Sequence, residues 1–306
     1  MQLVEKCFSK VKDDCFNYIS SQETESEKFR NKNKLIKSFL IPQCIWIAKK
    51  VNKNKTLIIG IAGGQGTGKT TISKIITLIL KKYFRFKVFN ISIDDFYKSL
   101  KKRSLLSKKI HPLLKTRGVP GTHDIEIINL FFKSLKRRKF KKINLPKFQK
   151  SIDDRLPKSK WQNISTKPEV IIFEGWCVGA KPQPLYLLKK PINDLEKNED
   201  KNLTWRKYFN DKLKKKYKNT FSMIDHIIFM KAPSFKMVLK WRLIQEKKLK
   251  NKSNYKKKIM SNSQIKRFVM FYQRITTQMI KDLTKSASIV MLLNNHHEIK
   301  KIFFKK

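Results

Sequence analysis

The chain of 306 residues is 40% hydrophobic, which allows one large α/β core with extensions, and its apolar runs fall short of the ~20 residues of a membrane-spanning helix. Its formal charge of +48 comes mainly from lysines scattered along the whole chain, which favours a solvated surface over a nucleic-acid-binding face. Scattered cysteines and an acidic N-terminal region argue against a disulfide framework, a zinc site and a targeting peptide, so we expect a cytoplasmic protein.

The N-terminal part of the chain, residues 1 to about 50, is predicted to be a helical extension. Its apolar side chains recur at helical spacing at Phe8, Val11, Phe16 and Ile19. This amphipathic pattern indicates a helix that packs one face on the core or forms a cap.

The first predicted strand, Leu57 to Ala62, leads into a glycine-rich turn and then into an amphipathic helix. The turn matches GxxxxGK[ST], and the flanking strand and helix are the context that this motif requires. Its glycines allow backbone N–H groups to point at phosphates, and the start of the helix adds a positive dipole end. We therefore predict an ATP site formed by Gly63, Gly64, Gln65, Gly66, Thr67, Gly68, Lys69, Thr70 and Thr71.

Two residues of this turn have predicted chemical roles. Lys69 would bridge the β- and γ-phosphates, and the Thr70 hydroxyl would help to hold Mg²⁺. The same type of loop serves GTPases, but neither DxxG nor NKxD occurs in the chain, which argues against that class.

Later strands are predicted to alternate with helices. They cover Lys87 to Ile93, Val170 to Phe173, Ile227 to Met230 and Ser288 to Leu293. This alternation predicts an α/β fold of the P-loop NTPase type, a parallel β-sheet flanked by helices with ligands at the carboxyl ends of the strands. Two charge-rich regions, 101–167 and 189–218, are interpreted as substrate-side loops or lid material.

Carboxylates follow two of these strands. One aspartate of the pair Asp94 and Asp95 could orient an acceptor hydroxyl and accept its proton, or the pair could form an acidic turn that caps the next helix. Glu174 could hold a magnesium-bound water or the attacking hydroxyl, or act as a structural cap. Arg242, on a late helix, could close over the transferring phosphoryl group, but taken alone it is better explained as a solvated arginine.

Several sequence blocks, found in order over roughly residues 57 to 280, resemble the plant-type D-glycerate 3-kinase family, which is related to uridine kinase, phosphoribulokinase and pantothenate kinase. Two of them discriminate best: Arg117-Gly118 with Gly121-Thr122-His123-Asp124, and Phe173-Glu174-Gly175-Trp176. The other blocks are Gln65-Gly66-Thr67-Gly68-Lys69-Thr70-Thr71, Ser92-Ile93-Asp94-Asp95-Phe96-Tyr97, Leu145-Pro146-Lys147-Phe148 with Lys150-Ser151, Asp154-Arg155, and Trp241-Arg242-Leu243.

The resemblance implies roles for individual residues. Asp94 would be the catalytic base, acting with Lys69, and Arg242 would be the lid arginine. The P-loop pattern and the position at a strand end, rather than the resemblance, assign Thr70 and Glu174 to the metal. The resemblance implies that Arg117, His123, Asp124 and Arg155 line the acceptor site, and the predicted acceptor-binding set also includes Asp94, Tyr97 and Glu174. Asp124 could instead cap a helix that begins near Ile125.

The resemblance also implies the reaction and the domain plan. A small-molecule kinase domain would cover residues 51–306, with acceptor-binding loops at about 94–180 and a lid at about 232–260. The expected reaction converts ATP and D-glycerate to ADP and 3-phospho-D-glycerate with Mg²⁺. A uridine- or pantothenate-type kinase on the same fold is the alternative, and a nucleic-acid-stimulated ATPase ranks third, with no membrane partner expected.

Overall fold

The computed structural model describes residues 2–23, 28–137, 139–252 and 260–305. The strands are β1 Leu57–Gly63, β2 Val88–Ser92, β3 Ile143–Leu145, β4 Phe148–Gln149, β5 Asp154–Arg155, β6 Gln162–Ile164, β7 Val170–Gly175, β8 His226–Lys231, β9 Ile289–Leu293 and β10 Ile299–Phe304. Six of them form one sheet in the order β10-β9-β8-β1-β7-β2, and the short strands form two two-stranded ladders, β3 with β6 and β4 with β5.

Helices cover both faces of the sheet. They are α1 Gln2–Gln22, α2 Lys32–Lys34, α3 Ile41–Ala48, α4 Lys69–Lys82, α5 Leu100–Lys109, α6 Ile125–Leu135, α7 Leu185–Lys189, α8 Asp194–Glu199, α9 Thr204–Lys212, α10 Lys218–Phe221, α11 Phe235–Lys252 and α12 Asn262–Ser286. Two π-helical turns, Leu35–Leu40 and Leu213–Tyr217, join neighbouring helices. No helix within the described residues is long and apolar enough to cross a membrane.

The central strand β1 is parallel to both of its neighbours. Leu57 pairs with Val170 of β7, and Ile59 pairs with His226 of β8. Every residue of β1 is buried, as expected for a parallel strand that is covered by helices on both faces. The carboxyl ends of β1, β2 and β7 therefore meet at one edge of the sheet.

Alternate residues of β1 pack into two hydrophobic cores, because successive side chains of a strand point to opposite faces. Ile59 and Ile61 lie in the core that also contains α1, α3 and α4. Ile58 and Ala62 lie in the core formed with α6, α9 and α12. The N-terminal helix thus buries its apolar face in one of these two cores, together with α3 and α4.

The predicted α/β fold with a helical N-terminal region is confirmed, with small shifts at the ends of the strands. The predicted second strand, Lys87 to Ile93, is shorter by one residue at each end. The charge-rich region 189–218 is largely helical, with α8, α9 and the second π-helical turn.

Strand β10 was missing from the prediction. It pairs antiparallel with β9 at the edge of the sheet, and Lys300 and Lys301 are exposed within it. Lysines are typical of edge strands, where they discourage pairing with another chain. They also interrupt the alternation of apolar and polar residues by which a strand is recognised in a sequence, so β10 was not predicted.

Candidate active site

The glycine-rich loop connects the end of β1 to the first turn of α4. Gly66 and Gly68 have φ angles of 73° and 85°, in the left-handed region that favours glycine. The Thr67 hydroxyl and the Lys69 ammonium both donate to the Gly64 carbonyl oxygen, each at 2.8 Å. The predicted ATP-binding residues therefore form one continuous turn at the start of a helix, the usual geometry of a phosphate site.

Helix α11 packs directly on this loop. A Cβ atom on Gly66 would lie 3.0 Å from Trp241 Cβ and 3.2 Å from the backbone nitrogen of Arg242. The Trp241 ring stacks on His297 with 4.4 Å between centroids. The loop can make this close contact because residue 66 has no side chain.

Thr70 and Glu174 lie together beside the loop. The Thr70 hydroxyl donates to Glu174 Oε1 at 3.3 Å, and Glu174 is 5% exposed. Burial raises the pKa of Glu174, although the nearby charge of Lys69 opposes the rise. Hydroxyl and carboxylate oxygens are ligands that suit Mg²⁺, which commonly takes one or two protein oxygens and completes its shell with phosphates and water. The predicted pair therefore fits a magnesium ion brought by ATP.

Replacing Glu174 with glutamine should raise the Mg²⁺ concentration needed for half-maximal activity by about tenfold, because the side chain keeps its size but loses its charge. A magnesium titration at fixed ATP measures this change. Glu169→Gln, just before the other end of β7, is the matched control and should leave the titration unchanged. The same Mg²⁺ requirement in both variants would show that Glu174 does not hold the metal.

Asp94 lies in a 3₁₀ turn, Ile93–Phe96, at the end of β2. Its Oδ1 accepts a hydrogen bond from the Tyr97 hydroxyl at 2.8 Å, and its Oδ2 pairs with the Lys150 ammonium at 2.7 Å. Burial alone would raise the pKa of Asp94, but the charge and hydrogen bond of Lys150, with the hydroxyl of Tyr97, lower it to about 2. Asp94 is therefore an ionised carboxylate with two identified partners.

The neighbouring carboxylate has a different environment. Asp95 Oδ2 pairs with Lys147 at 2.8 Å, and its Oδ1 accepts from the Phe148 backbone nitrogen at 3.3 Å. These contacts attach β4 to the turn that carries Asp94. Neither aspartate caps the next helix, α5, because Ser99 occupies that position.

Close backbone packing brings the Asp94 turn to Glu174. Ser92 of β2 is the register partner of Glu174 in β7. A Cβ atom on Gly175 would lie 2.3 Å from Ile93 Cγ2, so only glycine allows the turn to approach the strand this closely. The charges of Asp94 and Glu174 both act on Lys69, whose pKa burial lowers and these two carboxylates raise. The three predicted chemical groups are thus brought together.

Arg117 lies near this group. Its guanidinium pairs with Asp153 and lies 5.6 Å from the centroid of the Phe148 ring. Asp153 also pairs with buried Arg103 at 3.1 Å, which fixes the loop between β4 and β5. Arg117 is thus a fixed, fork-shaped cation whose charge acts on Lys150, the partner of Asp94.

His123 is buried and stacks on the ring of Tyr97, with 4.6 Å between centroids. Its Nδ1 lies 2.7 Å from the Tyr217 hydroxyl. Burial lowers the pKa of His123 to about 3. The imidazole is therefore neutral at physiological pH.

Asp124 and Arg155, both predicted to contact the acceptor, pair with each other at 2.7 Å. Asp124 also pairs with Lys98 at 2.7 Å, and Arg155 donates to the carbonyl oxygen of Tyr97 at 2.7 Å. Asp124 precedes α6, which begins at Ile125, but its side chain forms no capping hydrogen bond. The pair braces the segment that carries Tyr97, and its contact with the acceptor stays a prediction.

Arg242 lies on α11 beside the glycine-rich loop. Its guanidinium forms an ion pair with Glu246 at 2.6 Å and lies 5.7 Å from the centroid of the Phe268 ring. The side chain is 12% exposed, so it is not the freely solvated arginine that its position in the sequence first suggested. Part of the predicted lid, 253–259, lies outside the described residues.

Two residues of the site were missing from the predicted set. Lys150 belongs to a block that carried the family resemblance, so a signal for it was present in the sequence. Tyr217 lies in a lysine-rich segment whose pattern gives no indication that its hydroxyl reaches His123.

Comparisons with known proteins identify a family of kinases. A model described as the phosphoribulokinase/uridine kinase family matches residues 58–181. The uncharacterized kinase mug58 of Schizosaccharomyces pombe is 30% identical over 228 residues, which cover 72% of this chain and 79% of that protein. The chloroplastic D-glycerate 3-kinase of Arabidopsis thaliana is 29% identical over 231 residues, which cover 68% of this chain and 47% of that enzyme.

A solved structure shares the fold. The D-glycerate 3-kinase from Cryptococcus neoformans superimposes with a TM-score of 0.71 over 88% of this chain and 97% of that chain, at 24% identity. The shared architecture therefore extends well beyond the glycine-rich loop.

Proposed function

Because this chain belongs to the phosphoribulokinase/uridine kinase family of P-loop kinases, we propose that it transfers the γ-phosphoryl group of ATP to D-glycerate. The products would be ADP and 3-phospho-D-glycerate. Two of the similar proteins carry the name D-glycerate 3-kinase, which supports this acceptor. The chain is a phosphotransferase, and its proposed acceptor group is an alcohol.

The observation that carries the proposal is the placement of Asp94. Its carboxylate acts electrostatically on Lys69 of the glycine-rich loop, and it also contacts Tyr97 and Lys150. An acceptor hydroxyl held by Asp94 would thus lie close to the γ-phosphoryl group bound by the loop. As the new oxygen–phosphorus bond forms and the bond to ADP breaks, the hydroxyl proton would pass to Asp94.

Other residues would neutralise the charge of the phosphoryl group. Mg²⁺, held by the Thr70 hydroxyl and Glu174 and supplied with ATP, would shield the phosphates when bound. Lys69 would donate to the β- and γ-phosphate oxygens, and Arg242 would close over the transferring group. In P-loop kinases, positioning and charge neutralisation supply most of the rate enhancement.

A carboxylate on the acceptor suits the charges around Asp94. Lys150 and Arg117 place two cations there, and a guanidinium can grip a carboxylate through two parallel hydrogen bonds. The Lys150 side chain is 63% exposed, so an arriving anion can reach its ammonium, which has three donors, while Lys150 stays paired with Asp94. Glycerate carries both groups that this arrangement would bind: a carboxylate for the two cations and a nearby primary alcohol for Asp94.

The domain plan and the compartment are part of the proposal. Residues 51–306 would form the kinase domain, with acceptor loops at about 94–180, a lid at about 232–260 and a helical extension at 1–50. Four free and buried cysteines, Cys7, Cys15, Cys44 and Cys177, support a reducing compartment such as the cytoplasm.

The proposal predicts ADP release that depends on D-glycerate. Purified protein with Mg-ATP should turn over D-glycerate at least about tenfold faster, in kcat/KM, than L-glycerate, uridine, pantothenate or ribulose 5-phosphate, because the wrong acceptors leave buried polar groups unpaired. A coupled ADP assay measures the rates, and ³¹P NMR distinguishes the 3-phosphate from the 2-phosphate.

The other outcomes separate the alternatives. Activity with uridine or pantothenate but not with D-glycerate would agree with a kinase on this fold and would overturn the glycerate assignment. ATP hydrolysis that rises only with added RNA and falls steeply with salt would point to a nucleic-acid-stimulated ATPase.

A further inference from the structure

The hydroxyl of Tyr217 lies between two polar groups of the candidate acceptor site. The backbone nitrogen of Gly121 donates to the Tyr217 oxygen at 2.9 Å, and His123 Nδ1 lies 2.7 Å from the same oxygen. Tyr217 is 1% exposed and His123 is 2% exposed, so water does not compete freely for these contacts. The two hydrogen bonds together determine where the histidine carries its proton.

A backbone N–H group can only donate, whereas a tyrosine hydroxyl has one proton to give. Gly121 therefore uses the oxygen of Tyr217 as its acceptor, and the hydroxyl proton of Tyr217 is left for His123 Nδ1. A neutral imidazole that accepts at Nδ1 carries its own proton at Nε2. The opposite tautomer would leave the buried hydroxyl proton of Tyr217 without an acceptor, which costs free energy.

The Nε2 atom of His123 is buried and has no hydrogen-bond partner among the described residues. Its ring stacks on Tyr97, and the Tyr97 hydroxyl donates to Asp94. A buried donor without a partner beside the proposed acceptor site is an unused recognition group.

We infer that Tyr217 is a positioning residue that holds His123 in the Nε2–H tautomer, so that His123 donates a hydrogen bond to an oxygen of the acceptor. This inference rests on the proposed function for the identity of the acceptor. The fixed donor selects an acceptor with an oxygen lone pair at this point, such as a carboxylate or a hydroxyl. A donor-only group, such as an ammonium, would be rejected there.

The tautomer can be tested without any substrate. In ¹⁵N-labelled protein, long-range ¹H–¹⁵N correlations should show His123 with its proton on Nε2, assigned by the signals that disappear in His123→Gln. In Tyr217→Phe, which keeps the ring and its packing, the Nε2–H preference should weaken or reverse. A proton on Nδ1 in the unaltered protein would overturn the inference, whichever acceptor the enzyme uses.

Kinetics test the consequence for recognition. Tyr217→Phe should raise KM for the acceptor by about tenfold, with KM for ATP changed less than about twofold, since one hydrogen bond is misplaced and the nucleotide site is untouched. The amide nitrogen of glutamine can take the place of Nε2 and has no tautomer to select. His123→Gln should therefore retain more activity than His123→Ala, and adding Tyr217→Phe to it should change little.

These measurements separate a positioning role from a structural one. The melting temperature of Tyr217→Phe should fall in either case, because the variant leaves the buried N–H group of Gly121 without its acceptor. A purely structural role of Tyr217 would add its full kinetic effect in the His123→Gln background. Additive effects would overturn the positioning role of Tyr217. If none of the acceptors tested above is turned over, the NMR result still decides the tautomer of His123. Failure of the proposed function is therefore distinguishable from failure of this inference.

Discussion

Replacing Asp94 with asparagine should lower kcat by about 10²- to 10⁴-fold, the contribution of a positioned proton acceptor. Asparagine keeps the shape of the side chain but loses the charge and one of the two acceptor oxygens that now serve Tyr97 and Lys150. KM for ATP should stay within about twofold, because the glycine-rich loop is unchanged. Steady-state kinetics with D-glycerate and a nucleotide-binding titration measure the two effects.

The lowered pKa of Asp94 determines how it can act. Its carboxylate stays ionised until the pH falls towards about 2. Protonation of Asp94 should therefore cause no decrease of kcat/KM between about pH 8 and pH 5. A carboxylate with so low a pKa is a weak base at neutral pH. We therefore expect Asp94 to orient the hydroxyl first and to accept its proton late, which suits a loose phosphoryl-transfer transition state.

Asp95→Asn is the matched control for this prediction. Asp95 holds Lys147 and the Phe148 backbone, so its loss should reduce stability or raise KM for the acceptor, while kcat falls much less than in Asp94→Asn. A kcat within a few-fold of normal for Asp94→Asn, or a larger loss for Asp95→Asn, would move the catalytic role away from Asp94.

Lys69→Met should reduce kcat/KM by about 10²- to 10³-fold, as expected when a pre-organised charge at the transition state is removed. The ammonium of Lys69 is held by the Gly64 carbonyl oxygen inside the loop, where the charges of Glu174 and Asp94 also act on it. Methionine fills a similar space without the charge. Single-turnover experiments with saturating ATP separate the chemical step from nucleotide binding.

Lys74→Met provides the control on the same helix. Lys74 is exposed on α4, so the variant makes the same change in net charge without altering the loop. Its activity should stay within about twofold of normal, since exposed substitutions away from a site have small effects. A similar loss in both variants would mean that overall charge, and not the position of Lys69, supports activity.

The local parts of the site could be predicted from the sequence. The strand, the glycine-rich turn and the helix with Ile72, Ile75, Ile76 and Ile79 are adjacent in the chain, and each element has its own pattern. The carboxylates Asp94 and Glu174 were also predictable, because parallel strands bring their carboxyl ends to one edge of the sheet.

The partners of these groups could not be predicted in the same way. Lys150 reaches Asp94 through a loop between two-residue strands, and Tyr217 reaches His123 from a lysine-rich helical segment. Such contacts depend on how long connections fold back over the sheet, so the family block that contains Lys150 marked this residue without indicating its contact with Asp94. For Arg155, the family block indicated an acceptor contact, which stays a prediction, but gave no indication of its ion pair with Asp124 or of its hydrogen bonds to backbone oxygens.

The central place of β1 also constrains how the polypeptide reaches its native state. Its neighbours in the sheet, β7 and β8, are synthesised long after it, so the strand that carries the phosphate loop leaves the ribosome with both edges unpaired. Pairing between distant segments has a high entropic cost of loop closure and slows folding. Because α1, α3 and α4 share the core on one face of β1 and are complete early in synthesis, we expect them to cover that face of the apolar run Leu57–Gly63 and to limit aggregation before β7 and β8 emerge.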